Sequence, residues 1–300
     1  MAIVSSAFLP QATPMWKRVV NFPLASLLIE VALIAVPIIT IMSLGLQKEL
    51  LHDNGNLVLL VGAVISVISC LWYGFYFRLF HRALGTQLSW NVHIAGIGFA
   101  LGVALFGVVM LMLWTFGGLG VVATNPADVL AKALGLAVAS GVTEEIIVRG
   151  IIFRNLERLA GTWISLAVTA LLFGAMHLGN AHATTLSSLA IALESGVLLA
   201  TAYVATRTLW WPIGIHIGWN FSEGGIFGLA VSGGESQGLI QVSTEGSPWL
   251  TGGDFGPEAS ALAVLVCLAA TVVFLVLASK RKQIVAPLEY KRRAARAASI

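Results

Sequence analysis

The sequence predicts an all-α fold, a polytopic integral membrane helical bundle with about eight transmembrane helices. Three observations predict it. Hydrophobic residues fill 58% of the 300 positions and charged residues only 10%, where soluble domains carry about 25% charged residues. Mean hydropathy is accordingly +0.90. Apolar runs of about 20 residues, the length a helix needs to cross the hydrocarbon core, recur along the chain. Basic residues fall between those runs in an alternating, one-sided pattern.

The runs cover about residues 22–46, 57–80, 94–117, 128–152, 162–180, 184–206, 210–231 and 258–279. Gly and Pro punctuate their connections, as at Gly117-Gly118, Asn125-Pro126, Gly233-Gly234 and Gly256-Pro257. The first run begins only after Lys17-Arg18. Met1 to Pro14 lack a basic segment followed by a short apolar core, so no cleavable signal peptide is expected. The fifth run is interrupted by Gly179-Asn180-Ala181-His182, which places His182 in a short external turn. The longest loop, about 232–257, is polar, Gly-rich and acidic. Cys70 and Cys267 lie in apolar runs and read as two buried thiols rather than a disulfide framework.

With the N-terminus placed in the cytoplasm, eight alternating spans put fifteen of the 17 Lys and Arg residues on or near that side. Lys48 and Lys132 alone fall opposite, where Glu235, Glu245 and Asp254 collect. The termini are therefore expected to be cytoplasmic. The basic tail after Lys280 is expected to lie against anionic headgroups, with no motif for nucleic acid. The lipid bilayer is thus a partner. Nothing in the pattern fixes an oligomeric state.

Three apolar runs carry polar groups at helical spacing. In the fourth, Glu145 and Arg149 are four apart and share a face, while Glu144 points about 100° away from Glu145. Glu145 is expected to pair with Arg149 and leave Glu144 to address a water-filled site. Ionised groups in hydrocarbon cost at least a few kcal/mol each, so they face a cavity or a partner. The fifth run ends in Phe173-Gly174-Ala175-Met176-His177, whose small residues permit close helix approach. The seventh carries His216 and Asn220 one turn apart on one face. A carboxylate base, two imidazoles and an amide suit hydrolysis of an acyl bond. Two routes stay open. Glu144 and the two histidines can act around a metal-bound water. Alternatively Glu144 and His177 activate water directly while His216 and Asn220 donate to an oxyanion. Arg149 is read as lying near the cytoplasmic edge, with Glu144 about 7–8 Å deeper, so the site is expected to open toward that half. Glu194 and Glu223 are further intramembrane carboxylates, without an assigned role.

The ordered set Glu144-Glu145-x-x-x-Arg149, Phe173-x-x-x-His177 and His216-x-x-x-Asn220 resembles the CPBP family, which comprises type II CAAX prenyl proteases and bacteriocin-processing or immunity-associated membrane proteins. The run Ala202 to Pro212, leading into His216, looks like its bacterial branch, which implies a bacterial inner membrane. The resemblance covers about residues 128–228. It implies three parts. Residues 1–127 are N-terminal transmembrane helices without a recognised motif. Residues 128–228 are the catalytic helical core. Residues 229–300 are the acidic external loop, the last helix and the basic tail. It also implies a glutamate-dependent intramembrane endopeptidase, usually classed as a metalloprotease, acting on a peptide or protein with or without a lipid group. By motif position Glu144 is the general base, and Glu145 and Arg149 support it. His177 is a second catalytic group or metal ligand, and His216 and Asn220 are ligands or oxyanion stabilisers. A metal site would use His177 and His216 with Glu144 or Asn220, zinc suiting these donors, and a metal-free mechanism is the other option. The rival functions are a noncatalytic scaffold or bacteriocin-immunity factor and a proton-coupled transporter. The second finds no inverted repeat to support it.

Overall fold

The computed structural model describes residues 22–45, 54–80, 88 and 93–287. Lys17-Arg18, Lys48, Arg82 and the tail beyond residue 287, on which part of the charge argument rests, lie outside them. The described chain is an all-α bundle. Its long helices are α1 (23–45), α2 (Gly55–Phe80), α3 (His93–Thr115), α4 (129–160), α5 (Thr162–Met176), α6 (Thr185–Thr206), α7 (210–226) and α8 (Ala261–Lys280). All but α4 and α7 are long and apolar enough to cross a membrane by length and composition. Those two are the helices that carry the motifs built on Glu144 and His216.

The bundle has two distinct ends. At one, the basic end, the Arg207 guanidinium pairs with Glu157 and meets the side chain of Gln283. There Arg281 also donates to Ala205 O at 3.0 Å. Burial works against the charge on Arg207, but the hydrogen bond and charge of Glu157 outweigh it and hold the group above the usual guanidinium range. At the other end the chain forms two short strands, β1 (Leu119–Thr124) and β2 (Ile240–Thr244), paired antiparallel with Leu119 opposite Thr244 and Thr124 opposite Ile240. The composition had suggested only loop here. The ribbon forms because β-branched residues on both segments meet on a pleated surface, as Val121 and Val242 do.

Two span boundaries differ from the sequence expectation for local reasons. Helix α8 starts at Ala261 rather than 258 because Ser260 caps it, accepting from Ala263 N at 3.0 Å. Helix α7 stops at 226, before Gly228 adopts a left-handed φ of 60°. His182, also left-handed at φ 57°, lies between α5 and α6, in the turn expected for it. Four helices contain π-wound turns, at 31–35, 146–153, 192–196 and 221–226. Such turns recur at functional sites, and the last three adjoin the polar motifs.

Glycines set the close approach of α3 and α7. A methyl at Gly102 would overlap Ile215 O, and one at Gly218 would overlap Phe99 O. In a bilayer, where helices gain little from hydrophobic burial against one another, such small-residue contacts are a main source of association. Gly218→Val is therefore expected to separate α7 from α3 and cost about 1–3 kcal/mol or more. A fall in the thermal midpoint of the detergent-solubilised protein checks this.

Candidate active site

The site is built on α4. Arg149 donates to Glu145 Oε1 at 2.6 Å, and both side chains are fully buried. The same guanidinium donates to Ser195 O at 3.0 Å and Gly196 O at 3.1 Å, carbonyls of the π-wound turn in α6. It also lies 4.6 Å from the centre of the Phe173 ring. The expected Glu145–Arg149 pair is present. Arg149 is packed inside the bundle, and α4 continues past it to residue 160.

His216 on α7 meets this clamp. Its Nδ1 lies 3.1 Å from Glu145 Oε1, and its Nε2 lies 3.9 Å from Glu144 Oε2. An ionised Glu145 can only accept, so Nδ1 carries a proton whether the ring is neutral or protonated, an assignment made from the network. Glu144 and Glu145 point apart from α4, yet they reach the two nitrogens of one imidazole. The Glu144 side chain is 23% exposed and the His216 side chain 8%. Glu144 Oε2 has no hydrogen-bond partner among the described residues.

Helix α7 can approach α4 because of Gly141. A methyl there would stand 2.7 Å from Ile217 Cγ1 and 3.2 Å from Ile217 N. One turn further along both helices, Asn220 Nδ2 donates to Ser140 Oγ at 3.4 Å. Ser140 precedes Glu144 by four residues and shares its face, a spacing from which it was legible.

His177, just beyond α5, places Nδ1 2.7 Å from Phe173 O, so that nitrogen donates to the carbonyl. Its ring packs at 4.9 Å from the Phe173 ring, which in turn meets His216 edge-on at 6.1 Å. Among the described residues His177 makes no hydrogen bond or ion pair with Glu144 or His216. Phe173 is thus the element common to Arg149, His177 and His216, a role its place in the sequence motif did not reveal. Gly174 makes the expected close contact with α6, facing Ser188 O, whereas Ala175 is exposed on the outer face of α5.

Two further buried carboxylates, Glu194 and Glu223, lie within electrostatic reach of each other, and Glu194 also of His216. Glu194 is fully buried and accepts from Ser195 Oγ at 2.7 Å and Cys267 Sγ at 3.2 Å. Glu223 is fully buried, with a methyl at Gly256 falling 3.3 Å from its Oε1.

For a metal, each histidine is prepared in one respect: Nδ1 is held by an oxygen and Nε2 is left to face outward from that contact, as in many metal-ligating histidines. The set His177, His216 and Glu144 does not assemble, however. Among the described residues no group of three His, Cys, Asp or Glu side chains is placed to hold a metal ion.

Residues 126–222 match one family model, described as type II CAAX prenyl endopeptidase Rce1-like. The chain carries an Rce1-like segment. That segment contains all six motif positions, from Glu144 through Asn220, and ends within α7. No curated protein and no solved structure matches the chain. The helices of the Rce1-like segment include the two whose polar groups interrupt the apolar pattern of the bundle.

Proposed function

We propose that this protein is an intramembrane endopeptidase in which Glu144 activates water for attack on a peptide bond. The Rce1-like segment supports a CAAX-protease-like endopeptidase in general terms. The observation that carries the finer reading is the pairing of a partly open carboxylate with an imidazole fixed from behind. Glu144 Oε2 faces His216 Nε2, while Glu145 and Arg149 hold the other side of that ring.

The chemistry follows from these positions. Glu144 takes a proton from water as the oxygen bonds to the carbonyl carbon. The negative charge that develops on the carbonyl oxygen is met by the Asn220 amide and by a protonated His216 whose charge Glu145 balances. The protonated Glu144 then gives its proton to the leaving nitrogen as the C–N bond breaks, which yields an acid and an amine. His177, whose Nδ1 proton is committed to Phe173 O, offers Nε2 as an acceptor for a proton of the attacking water. A divalent ion, where bound, would polarise the same carbonyl through His177 and His216. The donors do not assemble into a three-ligand set, so no step is routed through it.

Six apolar helices of membrane-crossing length among the described residues make this a multi-pass membrane protein. We read its basic end as cytoplasmic and its membrane as a bacterial inner membrane. The test is cleavage of a fluorogenic peptide library, with and without lipidation, by the purified detergent-solubilised protein. Cleavage is expected, and a chelator is expected to leave its rate unchanged. Loss of cleavage with chelator, restored by zinc, would instead make His177 and His216 ligands. No cleavage of any peptide by a well-folded preparation would favour a noncatalytic role.

A further inference from the structure

Glu144 lies near the middle of a 32-residue helix span, 129–160, so water and substrate must travel to it along the bundle. The two directions are not equivalent. Toward the basic end, every residue of α4 from 145 to 151 is buried. Below Glu145, the Arg149 clamp joins α4 to α6. Next comes Glu30 of α1, which pairs with Arg154 and accepts from Asn155 Nδ2 at 2.8 Å and Ser26 Oγ at 2.7 Å. Last comes the Glu157–Arg207 pair with Gln283. A path from that side would have to dismantle three successive layers of polar contacts, two buried and the last part-buried.

Toward the ribbon end the same helix presents a stripe that the rest of the described chain leaves uncovered. Lys132 and Leu136 are exposed, the latter at 42%, and Ser140 and Glu144 are part-exposed. These positions are four apart and stand above one another on one face. Leu136 and Glu144 are separated by about 12 Å along the axis at 1.5 Å per residue. The far end of the stripe forms one wall of a cavity of about 780 Å³ lined also by Glu235, Gln237 and Gln241. The loop bearing them is anchored, with Gln241 Nε2 donating to Gly228 O at 2.7 Å and Asn125 Nδ2 to Gly238 O at 2.8 Å. The cavity reaches Leu136, one turn of α4 from Ser140 and two turns from Glu144, on the face that ends at the proposed base.

We propose that water and an extended, polar peptide segment reach Glu144 from the ribbon end, along Lys132, Leu136, Ser140 and Glu144, with the 780 Å³ cavity as vestibule. That the cargo is a peptide rests on the protease reading; the route itself does not. It reverses the sequence expectation of a site opening toward the basic end, which depended on Arg149 lying at the membrane edge.

The experiment uses the full chain with Cys70→Ala, since Cys70 is partly exposed and Cys267 is buried. Leu136→Cys and Ser140→Cys are treated with a membrane-impermeant maleimide in right-side-out and inverted vesicles. Glu235→Cys marks the ribbon end and Lys282→Cys the basic end. Both test positions are expected to react from the side on which Glu235→Cys reacts. Reaction from the side of Lys282→Cys, or from neither side, overturns the route. Labelling needs no turnover, so an inactive wild type would defeat the protease reading and leave the route standing. If cleavage is seen, Leu136→Trp is expected to lower it by about tenfold or more by filling the stripe, and Leu265→Trp, on an exposed face of α8 away from the stripe, to preserve it. Equal cleavage by all three proteins, all folded, would also overturn the route.

Discussion

Glu144→Gln is expected to lower peptide hydrolysis by about 10²–10⁴-fold, the usual contribution of a positioned general base. The substitution keeps shape and volume and removes the basic oxygen. It should leave the fold intact, because Glu144 is part-exposed and its Oε2 has no hydrogen-bond partner among the described residues. His216 stays held by Glu145 at 3.1 Å. Glu145→Gln is the informative contrast. It also removes a carboxylate from the site, but one that bonds both Arg149 and His216, so activity and thermal stability should fall together. Parallel rate and melting measurements on the two variants separate the roles. Equal loss of stability in both would assign Glu144 to the scaffold.

Arg149→Met is expected to be among the most destabilising single changes in the described bundle, by about 3–5 kcal/mol, because removing one partner of a buried pair strands the other. It would leave Glu145 without its cation and the carbonyls of Ser195 and Gly196 without their donor. Arg149→Lys should recover only part of this, since an ammonium cannot reproduce the planar fork or its stacking on Phe173. Thermal unfolding in detergent tests both variants. A Met variant as stable as the wild type would show that the clamp does not hold α4 to α6.

What the sequence made legible follows physical lines. The eight helices could be read because apolar runs of membrane length are a strong signal, and the polar positions because residues four apart share a helix face. Glu145–Arg149 is such a local pair. Contacts between helices were not legible in the same way. The hold of Glu145 on His216, the capture of Arg149 by two carbonyls of α6 and the pairing of Glu30 with Arg154 each join residues far apart in the chain. The full length of α4 was not legible because the fourth apolar run thins out near residue 152, whereas the helix continues through Arg154, Glu157 and Arg158, with Glu30 and Arg207 as partners of the first two. The ribbon was missed because Ile240–Thr244 is too short for its alternation to stand out from a polar loop.

The most direct test of a glutamate-activated water is hydrolysis of a peptide identified in the library screen, carried out in ¹⁸O-labelled water and read by mass spectrometry. The account predicts that wild type produces two fragments, with a single ¹⁸O in the new carboxyl group, and that Glu144→Gln produces neither at a comparable rate. Undiminished cleavage by folded Glu144→Gln, or fragments whose new carboxyl group carries no label, would contradict it.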